Sequence, residues 1–204
     1  MFLINILLVD DHALFSKSLE IALSDYPEIT SFESINDISR LDNFINANRP
    51  DILLMDINLK NIASEDGLEL AKQLLYRYPE QKIVILSGYD LPVYRSEAEK
   101  IGAKGFINKN IEPEKLVSFL SQISQGAVIF NSEIPFLEEL TECEKQILRL
   151  IADGMKRKEI AAILYISERT LSNHLQHIFE KLDVTSSVEA VTKAIQMGYI
   201  PPIC

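Results

Sequence analysis

Residues 4–11 read INILLVDD, an apolar run that ends in two adjacent carboxylates. Further short apolar runs follow the same plan, and each of them ends at a polar side chain. They are DILLM (residues 51–55) before Asp56, KIVIL (82–86) before Ser87 and KGFIN (104–108) before Lys109. Short apolar runs between helix-like segments are typical of the central strands of a parallel sheet, which are buried on both faces. The sequence therefore predicts an α/β fold for its first part.

The polar side chains that follow these runs predict one shared site. Ligands of such sheets bind outside the carboxyl ends of the strands, so these side chains should meet at one edge. The set consists of carboxylates, a hydroxyl and an ammonium, on Asp10, Asp11, Asp56, Ser87 and Lys109. Carboxylate oxygens, together with waters and phosphate oxygens, are the ligands that Mg²⁺ prefers. We expect the carboxylates and the backbone carbonyl of Asn58 to hold Mg²⁺.

The same site has the groups needed to handle a phosphoryl group. Asp56 is a candidate nucleophile, because carboxylates form aspartyl-phosphates in several classes of protein. Lys109 offers a positive charge and Ser87 a hydrogen-bond donor to a phosphoryl oxygen. Each residue alone would be an ordinary helix cap or surface side chain. Their joint occurrence at the correct strand ends is what favours a functional site.

The chain reads as two domains joined by a short linker. Strand-like and helix-like segments alternate over residues 1–125, which predicts a five-stranded, parallel, doubly wound sheet. Residues 126–137 fit neither period and are interpreted as the linker, although Val128, Ile129, Phe130 and Phe136 are apolar enough to dock on a domain. From residue 138 to residue 204 the pattern is helical, and four helices are predicted.

Local signals fix the start of the helical part. Thr141 and Glu144 match a capping box, in which the hydroxyl and the carboxylate satisfy backbone N–H groups at the helix start. Gly154 is a candidate stop, and a short turn at residues 165–167 leads into a long helix over residues 168–182. Two helices joined by a tight turn suggest a helix-turn-helix. Periodicity alone leaves a generic helical bundle open.

Composition narrows the class of protein. The net charge is −10, and acidic side chains outnumber basic ones on both sides of residue 137, so charge alone does not indicate nucleic-acid binding. No apolar stretch approaches the length of a membrane span, and the N-terminus lacks the basic region of a signal peptide. Cys143 and Cys204 are too few for a disulfide framework. We expect a cytoplasmic protein without membrane partners.

The first domain resembles the receiver of two-component response regulators through LLVDDH, DILLMDI, VILSG and GAKGFINK. The resemblance implies that Asp56 accepts phosphate from a cognate sensor histidine kinase while Asp10, Asp11 and Asp56 hold Mg²⁺. It also implies a switch pair, in which Phe106 turns inward when Ser87 bonds the phosphoryl oxygen. The stretch from Asn58 to Gly67 departs from the family, because it is longer and lacks a proline. That difference bears on the loop conformation and on the lifetime of the phosphate.

Residues 140–191 resemble the LuxR/NarL-type helix-turn-helix DNA-binding domain. The resemblance implies that the helix over residues 168–182 enters the major groove of double-stranded DNA. Ser172, Asn173 and Gln176 would then face base edges, and Asn and Gln pair well with adenine. Phosphate contacts are expected from basic and polar side chains on the same surface. These are Lys156, Arg157, Lys158, Arg169, Thr170, His177 and Lys181.

Two departures affect DNA binding. The family usually has a lysine where Ser172 stands, and an Asn-Arg pair where Ser186 and Ser187 stand. Fewer basic contacts release fewer counterions, so we expect weaker intrinsic DNA affinity and more reliance on dimerisation. The last helix carries apolar residues that fit either a dimer face or the domain's own core. They are Val191, Ala194, Ile195 and Tyr199.

The sequence favours a bacterial transcription regulator over two alternatives. It is predicted not to be an enzyme beyond self-catalysed phosphotransfer and slow hydrolysis of the aspartyl-phosphate, and to act as a homodimer on phosphorylation. The first alternative is a phosphohydrolase with Asp56 as nucleophile, but Asn58 stands where such enzymes need an acid/base aspartate. The second is a regulator that binds proteins and has lost useful DNA binding. Ser172 and the acidic second domain motivate that alternative.

Overall fold

The computed structural model describes residues 3–59, 62–63, 66–88, 91–130 and 140–200 and divides into two compact units. The first unit is built on a sheet of six strands that are all parallel. The strands are β1 (Ile4–Val9), β2 (Ile29–Ile35), β3 (Ile52–Asp56), β4 (Lys82–Ser87), β5 (Gly105–Asn108) and β6 (Ile129–Phe130). The helices of this unit are α1 (Ala13–Leu23), α2 (Leu41–Asn48), α3 (Gly67–Arg77), α4 (Pro92–Lys100) and α5 (Pro113–Ser124), with a 3₁₀ turn at Ile38–Arg40.

The strand order places the predicted site where the winding of the sheet reverses. The order is β2-β1-β3-β4-β5-β6, so the chain runs outward from β1 to β2 and then returns to the other side of β1 as β3. In open parallel sheets the crevice at such a reversal is where ligands bind. Asp10 and Asp11 follow β1 directly, and Asp56 is the last residue of β3. The three carboxylates therefore stand on both sides of the reversal.

Apolar residues cover both faces of the sheet, which explains the continuous apolar runs. Successive side chains of a strand point to opposite faces. Leu7, Leu53 and Ile85 belong to one core cluster together with residues of α2, α3 and α4. Their neighbours along the strands belong to the other cluster, with residues of α1 and α5. Strands enclosed in this way cannot show the polar alternation of a half-exposed sheet.

The sheet has six strands where the sequence predicts five. Ile129 and Phe130, which fall in the predicted linker, form β6 and pair with Gly105 and Phe106 of β5. The backbone N–H of Ile129 donates to the carbonyl of Lys104 at 2.9 Å. Both apolar side chains pack against the core clusters of the sheet, which is the physical reason for their docking. Linker residues 131–137 lie outside the described residues.

The second unit contains the four predicted helices. They are α6 (Glu142–Ala152), α7 (Arg157–Ile163), α8 (Glu168–Leu182) and α9 (Ser187–Met197). The capping box at the start of α6 is present, with Thr141 Oγ1 accepting from the Glu144 N–H and Glu144 Oε2 accepting from the Thr141 N–H. Gly154 adopts a φ of 78° just after α6, as its predicted role requires. Apolar residues from all four helices share one core cluster.

The start of α9 resembles a capping box but differs from it in detail. Ser186 Oγ accepts from the Glu189 N–H, but the Glu189 carboxylate accepts from the N–H of Thr185 instead of that of Ser186. The carboxylate thus reaches one residue further back than the motif requires. Among the described residues, no helix combines the length and the apolarity that a bilayer crossing needs.

Candidate functional site

The carboxylates predicted for the strand ends do meet at one edge of the sheet. One ligand atom from each of Asp10, Asp11, His12 and Asp56 can be chosen so that all four atoms lie within 4.8 Å of one another. The side chains of the three aspartates are almost completely buried, whereas His12 is exposed over half of its side chain. Oxygen donors at this density suit a hard divalent cation. The carboxylate oxygens of this set therefore fit the predicted Mg²⁺.

Lys109 balances part of this negative charge. Its Nζ lies 2.7 Å from Asp10 Oδ2 and 2.8 Å from Asp56 Oδ2, so a single ammonium bridges two of the carboxylates. The ammonium also lies 4.5 Å from the centroid of the Phe15 ring on α1. A cation over an aromatic face is attracted by the ring's negative face. These three contacts fix the position of the ammonium beside the Asp56 carboxylate.

His12 is a member of the site that the sequence reasoning did not include. Its Nδ1 lies 2.6 Å from Asp11 Oδ1 and 3.4 Å from Asp10 Oδ1. Its backbone N–H also donates to Asp10 Oδ1 at 2.7 Å. The sequence feature that could have indicated this role is the position of His12 directly after the two aspartates, just before α1.

Burial disfavours the ionised form of Asp56. Removal from solvent raises the pKa of its carboxyl, and the charge of Asp10 acts in the same direction. Lys109 and a hydrogen bond from the backbone of Asn58 favour the ionised form, but they do not offset the burial. Asn58 itself is exposed. A divalent cation at the site would favour ionisation by adding positive charge beside the carboxylate.

The predicted switch pair lies on the neighbouring strands β4 and β5, where Phe106 is opposite Ile85. Ser87 is the last residue of β4 and is buried, and its carbonyl accepts from the backbone N–H of Lys109 at 2.8 Å. Phe106 on β5 is 2 % exposed, so its ring occupies the inward position. The guanidinium of Arg95, a buried residue of α4, lies 5.8 Å from the centroid of that ring. No pattern in the sequence indicated a role for Arg95.

Gly67 sets the path of the chain around Asp56. A Cβ built on Gly67 would lie 1.8 Å from the backbone carbonyl oxygen of Asp56, a separation that no side chain can occupy. The Gly67 N–H donates to the carbonyl of Ile57 at 2.9 Å. Asp66 caps α3 by accepting from the N–H groups of Leu68 and Glu69, both at 3.0 Å. The longer stretch after Asn58 includes residues 60–61 and 64–65, which lie outside the described residues.

The second unit presents the polar face that the sequence predicts for α8. Four apolar residues of this helix, at a helical spacing, point into the core: Leu171, Leu175, Ile178 and Leu182. The opposite face and the start of α7 carry exposed polar and basic side chains. These are Lys156, Arg157, Lys158, Arg169, Thr170, Ser172, Asn173, Gln176 and His177.

Several of these side chains already have partners within the helix. Ser172 Oγ donates to the Glu168 carbonyl at 2.9 Å, and Gln176 Nε2 donates to Glu180 Oε1 at 2.9 Å. Thr170 Oγ1 lies 2.8 Å from Oγ of the capping residue Ser167. Within the described part of the chain, the Asn173 side chain makes no hydrogen bond. Asn173 is therefore the best-placed candidate for a direct contact with a base.

Lys181 differs from the other candidates because it serves the fold. Its Nζ lies 2.7 Å from Oε2 of Glu144, a buried carboxylate in the capping box of α6. Burial alone would raise the pKa of Glu144, but hydrogen bonds from Lys181 and Thr141 outweigh it and hold that pKa below its ordinary value. The capping residue pattern was visible in the sequence, whereas the ion pair between α6 and α8 was not.

The apolar residues of α9 mainly serve the core of their own unit. Ala194 is buried there, as is Tyr199 just after the helix, and Val191 and Ile195 pack against the same cluster while partly exposed. Of the two roles left open by the sequence, core packing is the one for which the structure gives contacts. Val188, in the first turn of the helix, is largely exposed.

Two family models match this chain, and together they cover both units. Residues 6–121 match the model of the response regulator receiver domain. Residues 138–194 match the model of bacterial regulatory proteins of the luxR family.

Curated relatives are similar over nearly the whole chain. The transcriptional regulatory protein DegU of Brevibacillus brevis is 29% identical over 97% of this chain and 95% of its own length. A nitrate/nitrite response regulator protein homolog of Haemophilus influenzae is 32% identical over 92% of this chain and 94% of its own. Among solved structures, RcsB of Salmonella enterica serovar Typhimurium bound to promoter DNA has a TM-score of 0.70 at 21% identity, covering 96% of this chain and 98% of that one.

Proposed function

This chain belongs to the response regulators with a LuxR-type DNA-binding domain, and we propose that it is switched by phosphorylation of Asp56. It is a DNA-binding transcriptional regulator and not a typical enzyme. The observation that carries the proposal is the position of Asp56 at the reversal of the sheet, with Lys109 Nζ at 2.8 Å. Two further carboxylates stand beside it.

We infer that the phosphoryl donor is a histidine kinase, whose phosphohistidine loses its N–P bond as an Asp56 carboxylate oxygen forms the new O–P bond. Lys109 would move its ammonium from the carboxylates to a phosphoryl oxygen, and Ser87 Oγ would donate to another oxygen. Mg²⁺ held by Asp10, Asp11, Asp56 and the Asn58 carbonyl would neutralise charge on the transferred group. Attack by water on the aspartyl-phosphate would later release inorganic phosphate slowly and restore the carboxylate.

The proposal excludes steady phosphatase activity toward small substrates. A phosphohydrolase of this kind needs a general acid/base close to its nucleophile, and Asn58 cannot transfer protons in that role. The chain is expected to turn over only its own aspartyl-phosphate.

Ser87 and Phe106 are proposed to carry the phosphorylation signal to the surface of the receiver. A bond from Ser87 to the phosphoryl oxygen would hold β4 close to the site, and the buried ring of Phe106 would be fixed in the space behind it. Arg95 covers that ring and would move with it. We propose that the surface altered in this way promotes dimerisation, with residues 1–125 as the receiver and residues 126–137 as the linker.

The DNA contacts are proposed to come from residues 138–204. Helix α8 would lie in the major groove, with Asn173 and then Ser172 and Gln176 facing base edges. Phosphate contacts are assigned to Lys156, Arg157, Lys158, Arg169, Thr170 and His177. Lys181 is left out because it is paired with Glu144. A regulator that acts on chromosomal genes in this way works in the cytoplasm.

Phosphate uptake from a small acyl phosphate tests the proposal directly. The wild-type protein, supplied with Mg²⁺ and the donor, is expected to gain one phosphoryl group by intact mass. Asp56→Asn should gain none, whereas Asp51→Asn, an exposed carboxylate at the opposite end of β3, should behave as wild type. Uptake by Asp56→Asn at the wild-type rate would show that the phosphoacceptor has been assigned wrongly.

A further inference from the structure

Tyr165 combines two features that are rarely found together in a folded domain. Its side chain is 96 % exposed, although it is large and mostly apolar. Its backbone has a φ of 55°, in the left-handed region that bulky side chains avoid. Like Arg49 and Asp183, Tyr165 lies at a helix end, where the left-handed conformation lets the N–H of Ile166 donate to the Ala161 carbonyl of α7 at 3.0 Å. The helix end accounts for the backbone conformation of Tyr165 but not for a ring that is almost fully exposed.

The position of Tyr165 in the fold supplies a reason. It lies in the short turn between α7, which ends at Ile163, and α8, whose N-cap is Ser167. Its N–H donates to the Ala162 carbonyl at 3.3 Å, and the half-buried Ile166 anchors the turn on the core. In a helix-turn-helix the first helix crosses the DNA backbone and the second begins in the groove. The turn between them therefore lies at the edge of the groove, beside the phosphates.

We infer that Tyr165 is a DNA contact, in which the phenolic O–H donates a hydrogen bond to a backbone phosphate oxygen. The inference rests on the proposed DNA-binding role of the second unit. Tyrosine hydroxyls are among the side-chain groups that contact phosphate in protein–DNA complexes, and such contacts position the protein without reading sequence. A neutral donor also suits this chain, which has few basic groups and places Ser172 where a lysine is usual.

The surroundings of Tyr165 favour DNA over a protein partner. A protein interface needs a contiguous apolar patch, and the exposed apolar neighbour in the turn region is Ile163, which is itself half covered. After the carboxylate of Glu168, the exposed side chains at the start of α8 are the cation of Arg169 and the hydroxyl of Thr170. These two groups suit a polyanionic backbone.

The chemistry of a phenol makes the test specific. Each cationic contact to phosphate contributes to the salt dependence of binding through released counterions, whereas a neutral hydroxyl contributes nothing. Tyr165→Phe is therefore expected to weaken DNA binding by roughly three- to tenfold, in line with the loss of one hydrogen bond. The slope of log K against log salt should stay as in wild type. Binding to specific and to random DNA should weaken by the same factor.

The matched control is Tyr76→Phe, since Tyr76 is 87 % exposed but lies on α3 of the other unit. It should leave DNA affinity unchanged. Tyr165→Gly removes the contact and also relieves the left-handed strain, so it should raise the melting temperature while weakening DNA binding. A variant that is more stable and binds less tightly cannot be explained by partial unfolding.

The titrations use the phosphorylated full-length protein over a salt series. Wild-type affinity for Tyr165→Phe, or a weaker affinity accompanied by a changed salt slope, would overturn the inference. So would a Tyr165→Gly variant that binds DNA normally but fails to stimulate transcription in a purified system, because the partner would then be a protein. If the wild-type protein itself fails to bind DNA, the proposed function fails first, and the Tyr165 contact fails with it.

Discussion

The loss of folding stability that the site causes can be measured at Asp56. Burial raises the pKa of its carboxyl, so the ionised form is less favourable in the folded protein than in the unfolded chain. The resulting loss of stability is absent at a pH below the ordinary pKa of aspartate. It grows as the pH rises towards the raised value and is complete above it. The function needs this carboxylate, and the fold would be more stable without it.

Asp56→Asn is therefore expected to stabilise the metal-free protein at neutral pH. We expect a melting temperature higher by roughly 2–4 °C for each kcal/mol of relief in a chain of this size. The gain should be smaller at pH 4, because a carboxyl with a raised pKa takes up its proton sooner as the pH falls. Thermal melts in EDTA at both pH values measure it, with the exposed Asp25→Asn as control. A variant less stable than wild type at pH 7 would contradict the argument that the buried Asp56 carboxylate destabilises the fold.

Gly67 gives a second test at the level of one residue. A methyl group there cannot fit against the Asp56 carbonyl, so Gly67→Ala must displace the backbone that carries the phosphoacceptor. We expect a loss of about 1–3 kcal/mol in stability, as for other overpacked sites, together with slower phosphate uptake. Urea unfolding and intact mass measure the two effects. Gly88→Ala is the matched control, because a Cβ at Gly88 meets nothing within 4 Å. Equal behaviour of the two variants would refute the steric argument.

The residues of the site divide by how they can be predicted. The sequence pattern predicts four of them, because each stands at the end of an apolar strand and parallel strands bring their carboxyl ends to one edge. These are Asp10, Asp56, Ser87 and Lys109. Gly67 and Arg95 act through close approaches to Asp56 and Phe106, each eleven residues away in sequence, and no helix or strand period encodes such contacts. His12 is an intermediate case, since only its place after Asp11 hinted at its contact.

Helix α6 shows how one carboxylate can organise an element. Glu144 closes the capping box and binds Lys181 of α8, so it links two helices as well as capping one. Its lowered pKa means that it stabilises the fold above the ordinary pKa of glutamate. That contribution is lost as the pH falls through the lowered value.

Glu144→Gln is expected to destabilise the second unit by about 1–3 kcal/mol at pH 7, because the charge-assisted hydrogen bond between Lys181 and the buried Glu144 carboxylate is lost. The difference from wild type should shrink in acid, where Glu144 is protonated in both the folded and the unfolded state. Denaturant unfolding followed by helical circular dichroism measures it. Glu142→Gln is the control, since its side chain is 79% exposed and surface ion pairs such as that with Lys145 contribute little. Equal losses for both variants would contradict the role given to Glu144.

Ser172 tests the proposed groove face of α8. Ser172→Lys introduces a cation where the family usually has one, and is expected to tighten DNA binding and steepen the salt slope by about 0.9. Titration of a DNA duplex over a salt series measures both. Ser18→Lys is the matched control, because Ser18 also donates to the carbonyl four residues earlier but lies on α1. An unchanged slope for Ser172→Lys would place α8 outside the groove.

Element bounds were predictable where caps define them. Helix α8 spans residues 168–182 as predicted, because Ser167 caps its start. Strand β6 escaped prediction because two residues are too few to show any period. Its pairing depends on the exposed edge of β5, which a local pattern does not reveal.

The intact chain must couple two units that are both acidic. A phosphoryl group adds roughly −1.5 to −2 charges to a protein whose net charge is already −10. Direct electrostatics would therefore weaken DNA binding on phosphorylation. Tighter binding has to come from a conformational change or from dimerisation, which doubles the contacts to DNA. Because charge alone would weaken DNA binding, tighter binding on phosphorylation would demonstrate coupling between the two units.

The decisive measurement is the affinity for an operator selected from genomic fragments, in Mg²⁺ with and without an acyl phosphate donor, for wild type and Asp56→Asn. We predict that the donor tightens binding by wild type by about 5- to 150-fold, the usual range of allosteric coupling. Asp56→Asn should bind with the same affinity in both conditions. Affinity of wild type that is unchanged or weakened by confirmed phosphorylation would contradict the account, because Asp56 would then not control the DNA-binding unit.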